Sequence, residues 1–131
     1  MNYLKSSLIL ISFLLIGNYM MAQSQIKFEK TTHDFGTLKE EQGKATAKFV
    51  FVNVGKDDLK IVNVRTSCGC TASDYPHDPI KPGKTGKIQI TFNSANRLGM
   101  QHKKVTIRAN TSPEFTVLNV YAQVIDKNSE N

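Results

Sequence analysis

From Ala45 onward, apolar side chains recur at every second position, and this alternation limits the chain to strands with one face turned inward. In "ATAKFVFVNVG" the set Ala45, Ala47, Phe49 and Phe51 opposes Lys48, Val50 and Val52. Both faces turn apolar in its second half, as in a strand from the middle of a sheet. "LKIVNVR" sets Leu59, Ile61 and, after a polar Asn63, Arg65 against Lys60, Val62 and Val64. "KIQITF" offers Ile88, Ile90 and Phe92, "KVTIRAN" offers Val105, Ile107 and Ala109, and "FTVLNVYAQVI" offers Leu118, Val120, Ala122 and Val124. An opening strand at Ile26 to Phe28, with a partner near His33 to Phe35, brings the expected count to about seven. Connections such as Gly55 to Asp58, Lys81 to Lys84 and Asn110 to Pro113 carry the residues that turns require. The pattern predicts an all-β, immunoglobulin-like antiparallel β-sandwich. An up-and-down barrel is the competing closure of the same strands.

The first 22 residues follow another rule. Lys5 precedes an apolar stretch from Leu8 to Ile16, and a more polar run ends at Ala22. That is the layout of a secretory signal peptide, and its core is shorter than the ~20 apolar residues of a membrane-spanning helix. Residues 1–22 are therefore read as the signal, 24–125 as the sandwich and 126–131 as a polar tail. Removal of 22 from the 131 residues leaves 109, and loss of Lys5 lowers the net charge from +6 to +5. This size suits one domain with its own core. Export predicts a periplasmic or secreted protein with no stable membrane anchor once the signal is cut. The cations are scattered and no arginine-rich run exists, so nucleic acid is not an expected partner.

Both cysteines, Cys68 and Cys70, flank Gly69 in "TSCGCTASDYP". An oxidising compartment permits a disulfide. Residues two apart in an extended strand lie about 6.6 Å apart, near the upper limit for that bond, so closure needs a bend, which Gly69 permits. A closed loop of three residues contributes only about 1.6 kcal/mol before strain is subtracted. Such a bond is a weak staple, expected to be strained and comparatively easy to reduce. Two thiolates on one turn also suit Cu(I). Zinc would need further ligands from His33, His77 or His102, of which His77 is nearest in sequence. The remaining reading is inert packing of two small side chains. Ser67, Ser73, Asp74 and His77 fit no hydrolase motif, Asp57-Asp58 and Glu40-Glu41 are turn carboxylates, and no glycine-rich phosphate loop is present.

Four segments together carry a resemblance: "HDFGTLKEEQGKATAKFVFVNVGKDDLKIVNVRTSCGCT", "YPHDPIKPGKTGKIQITFNS", "GMQHKKVTIRANT" and the last hydrophobic strand. They resemble the exported bacterial family known as domain of unknown function 1573, common in Bacteroidetes. The resemblance implies an immunoglobulin-like fold related to the major sperm protein and pilus-chaperone sandwiches, and no catalytic residues. The resulting expectation is a non-enzymatic binding module for an unidentified envelope or extracellular protein, docked by strand addition to an open sheet edge. No cofactor is expected. The alternative is a thiol-based Cu(I)-binding or redox protein using Cys68 and Cys70.

Overall fold

A computed structural model describes residues 23–128. The expected signal peptide, 1–22, and the end of the tail, 129–131, lie outside the described residues. Eight strands follow in chain order: β1 (Ile26–Phe28), β2 (Thr32–Lys39), β3 (Lys44–Asn53), β4 (Ile61–Thr66), β5 (Thr71–Asp74), β6 (Thr85–Asn93), β7 (Gly99–Ala109) and β8 (Phe115–Ile125). They form two four-stranded sheets, ordered β1-β3-β6-β5 (sheet 1) and β2-β8-β7-β4 (sheet 2). Two separate sheets make a sandwich, not a barrel. The succession β1, β3, β6, β5 and the succession β4, β7, β8 reproduce the two sheets of the immunoglobulin arrangement.

In β3, β6, β7 and β8 the inward faces are those the alternation predicts. Phe49, Phe51, Leu59, Ile88, Ile90, Val105 and Leu118 are fully buried. Each such side chain contributes about 1.5–3 kcal/mol by leaving water. A glycine is needed at one close approach outside the core: a Cβ on Gly55 would lie 2.2 Å from the Gln23 carbonyl oxygen, so the turn after β3 passes directly over the backbone of residues 23–25. Gly83 has φ +78°, the conformation expected of the Pro82-Gly83 turn that launches β6.

Three expectations need correction. First, β1 and β2 do not pair: β1 joins β3 antiparallel, and β2 joins β8 in the other sheet. Their connection, Glu29-Lys30-Thr31, lacks the glycine-containing pairs that favour a tight hairpin. It instead carries the chain across the sandwich, so that Phe35 of sheet 2 stacks on Phe92 of sheet 1 at 6.3 Å between centroids. Second, the β2–β8 pairing is parallel, with a bulge between Asp34 and Thr37, so the sandwich is not wholly antiparallel. Within that bulge the Gly36 amide donates to Asp34 Oδ1 at 2.8 Å. Third, the described residues form eight strands where about seven were expected, because Thr71–Asp74 pairs with β6.

Asn53 ends β3 as a buried polar joint. Its Nδ2 donates to the Asp57 and Ile80 carbonyls at 2.8 and 2.9 Å, and its Oδ1 accepts from the Gly55 and Gln25 amides at 3.0 and 3.5 Å. The side chain thus bonds its own strand end and three other segments in one place. Asn53→Ala should lower stability by about 2–4 kcal/mol, since buried partners lose their bonds together; urea denaturation would measure it, and a change below 0.5 kcal/mol would contradict this role.

His33 on β2 sits edge-on to Phe35, with centroids 4.7 Å apart, and faces Phe49 of sheet 1. Burial chiefly, and Lys30 secondarily, lower its pKa below 6.5, partly offset by Asp34. Lys30 Nζ donates to Nδ1 at 3.1 Å, a bond only the neutral ring accepts. The unfolded chain therefore takes up this proton first as pH falls. Stability should decline from about pH 6.5 down to the lowered folded-state value and show no His33 contribution above that window. Comparing denaturation midpoints at about pH 7.5 and 5.5 should give a smaller difference for His33→Gln than for the wild type.

Candidate functional site

The chain leaves sheet 2 at Thr66 and enters sheet 1 at Thr71, and the four residues between them hold both cysteines. Hydrogen bonds fix this crossing at each end. The Ser67 amide donates to the Lys104 carbonyl at 3.0 Å, and the Lys104 amide returns a bond to Ser67 Oγ at 3.1 Å. The Asn93 amide donates to the Cys70 carbonyl at 2.9 Å. Thr66 Oγ1 lies 3.0 Å from the Cys68 carbonyl and 3.1 Å from the Thr71 carbonyl, sharing its proton across the loop.

Cys68 and Cys70 are bonded to each other as a disulfide, with Cα atoms 5.3 Å apart. The approach is closer than in an extended strand because the loop turns at Gly69 and Cys70. Their environments differ. Cys70 is 6% exposed and packs with Phe92, Ala122 and Val124, whereas Cys68 is half-buried at the margin of that cluster. The Cys70 amide donates to Cys68 Sγ at 3.2 Å. The buried Thr71 hydroxyl lies 3.6 Å from Cys70 Sγ and 4.0 Å from Cys68 Sγ. Thiolates bind metal and a disulfide has none, so Cu(I) capture here would require prior reduction.

The histidines lie apart from one another. His33 belongs to the interior edge of β2, exposed His77 packs beside Tyr75 at 4.7 Å, and His102 stacks on Tyr121 at 4.3 Å while bonding Asn119 Oδ1 at 2.8 Å. Among the described residues no three His, Cys, Asp or Glu side chains converge as a metal group. No described helix is long and apolar enough to cross a membrane.

A second feature lies on the outer face of sheet 2. The pairing places Asn63, Arg108 and Phe115 in one row and Arg65, Thr106 and Val117 in the next. Asn63, Arg65, Thr106, Arg108 and Phe115 line an open groove of about 380 Å³. Phe115 is 55% exposed, Val117 44% and Val62, on the bulged edge strand β4, 53%. Arg108 is paired with Glu114. The signal for this patch was present in the sequence: Val62, Phe115 and Val117 are apolar at positions the alternation assigns to the outside.

The family model described as a protein of unknown function (DUF1573) matches residues 26–124. No curated protein matches the chain in sequence. Among solved structures, a protein of unknown function from Porphyromonas gingivalis W83 is similar with TM-score 0.69 and 20% identity, covering 82% of this chain and 50% of that one. The YadV chaperone is similar with TM-score 0.56 and 12% identity, covering 80% and 54%. A chain of the CsuC-CsuE chaperone-tip adhesion subunit pre-assembly complex of Acinetobacter baumannii gives TM-score 0.53 and 14% identity, covering 79% and 52%. At these identities the likeness shows the fold, and the chain spans about half of each of those structures.

Gly69 does not adopt a positive φ, and a Cβ added there meets nothing within 4 Å. The bend between the cysteines therefore does not depend on glycine, contrary to the role expected for Gly69. Gly69→Ala should keep the disulfide closed and change stability by less than about 1 kcal/mol. Intact mass after alkylation without reductant would check the first, and loss of the bond would contradict it.

Proposed function

We propose that this chain, which belongs to the DUF1573 family, is a non-enzymatic binding module. It docks a protein partner in the periplasm or outside the cell, using the outer face of sheet 2 and the adjoining edge strand β4. The patch around Phe115 carries this reading. Exposed Phe115 beside Arg65 and Arg108 offers the aromatic and arginine side chains in which protein interfaces are enriched, and exposed Val117 lies in the next row. Strand β4 ends sheet 2, so one side of its backbone is open to a further strand. A strand added there would lie beside Val62 and Arg65, and its side chains would continue the same face. The fold is shared with solved chaperones, one of them in a complex with a pilus tip subunit, a likeness in keeping with docking on a sandwich.

Capture from a native envelope extract tests the proposal. Immobilised residues 23–131 should retain a protein above control, and Phe115→Asp should weaken that retention at least tenfold with the unfolding midpoint nearly unchanged, because Phe115 is surface-exposed. Failure of the wild type to retain any protein, or equal retention by Phe115→Asp, would count against the proposal.

A further inference from the structure

We propose that the Cys68–Cys70 disulfide is a thiol–disulfide exchange site, in which Cys68 is attacked by an external thiolate and Cys70 is the leaving sulfur. Three observations converge on it. The two sulfurs differ in access: Cys68 is half-buried at the surface of the sheet-to-sheet crossing, while Cys70 is 6% exposed beneath it. The buried Thr71 hydroxyl has the two sulfurs as its hydrogen-bond neighbours, with Cys70 Sγ the nearer at 3.6 Å. Neither sulfur of a disulfide carries hydrogen, so Thr71 is the donor, placed where negative charge develops when Cys70 leaves. Finally, the crossing is held by backbone and threonine bonds that do not involve the S–S bond: Ser67 with Lys104, Thr66 with two loop carbonyls, and Cys70 with Asn93. The loop therefore has its own support when the ring opens.

The substrate class is a protein or peptide dithiol. Its first thiolate attacks Cys68 Sγ, an S–S bond forms between them, and the Cys68–Cys70 bond breaks, releasing Cys70 as a thiolate that then takes a proton from water. The second substrate thiolate attacks the first substrate sulfur and displaces Cys68 as a thiolate, which also takes a proton from water. The substrate leaves as a disulfide, oxidised by two electrons, and the pair is left as a dithiol, reduced by two. Thr71 is a positioning residue in this scheme. Exchange with a small thiol needs no docking partner, so its success or failure is separate from that of the binding proposal.

The test uses the folded, oxidised protein in buffers of reduced and oxidised glutathione, with acid quenching, alkylation and mass analysis. The pair should open reversibly while circular dichroism remains that of the folded protein. With oxidised glutathione, Cys70→Ser, which leaves Cys68 free, should form the mixed disulfide at least tenfold faster than Cys68→Ser. Thr71→Val should slow reduction of the ring severalfold without a matching change in urea midpoint. A wild-type pair that stays oxidised until denaturant unfolds the chain would overturn the proposal, as would faster capture at Cys70. Wild-type reduction is decisive even if a variant fails to fold.

Discussion

The fold depends on the facing of two apolar surfaces, each made of alternate residues. Sheet 1 contributes Phe49 and Phe51 from β3 with Ile88, Ile90 and Phe92 from β6, and sheet 2 contributes Val105 and Ile107 from β7 with Leu118, Val120, Ala122 and Val124 from β8. Side chains on a strand alternate strictly, so a slip of one residue in β6 would bring Lys87, Gln89 and Thr91 into the core. The register is thereby fixed in the four central strands. Edges and loops take their places from that register.

Polar groups then join the crossings to the core. Asn53 gathers the end of β3, the following turn, Ile80 and the entry to β1 around one buried amide, while Ser24 Oγ donates to Asn110 at the same end of the chain's path. Every buried side-chain nitrogen or oxygen among the described residues has a hydrogen-bond partner. Buried polar groups left unpaired would cost stability, and here they instead specify which loop lies against which strand. The cysteine loop belongs to this class of crossings, and hydrogen bonds of Thr66, Ser67 and Cys70 hold it alongside the S–S bond. The frame thus presents a patch on β4, β7 and β8 and, at the end of β4, the Cys68–Cys70 disulfide.

The inward residues of β3, β6, β7 and β8 were legible from alternation alone, because their buried side chains fall at every second position. Pairing partners were less so. Alternation says which face is buried but not whether a neighbour runs parallel, and β2 could be placed beside β8 only by knowing that the chain crosses the sandwich after Phe28. Strand β5 is short, and Thr71, Ala72, Ser73 and Asp74 show no apolar periodicity that would mark it. The β4 bulge between Ile61 and Asn63 leaves Val62 outside as alternation had it, but puts Asn63 and Arg65 in the outer groove and Val64 against the core, the reverse of the faces that plain alternation assigned them. The resemblance to the family was readable in the motifs and holds over residues 26–124. Cys68-Gly69-Cys70 was visible as a motif, but the unequal burial of its sulfurs depends on Phe92, Ala122 and Val124, which come from distant strands.

On this reading the two-sheet core and the Cys68–Cys70 ring are separable. Amide hydrogen exchange on the oxidised and the reduced protein, compared residue by residue, measures that separation. Reduction should lower protection only near residues 66–74, with β3, β6, β7 and β8 otherwise unchanged. Loss of protection throughout the central strands would contradict it.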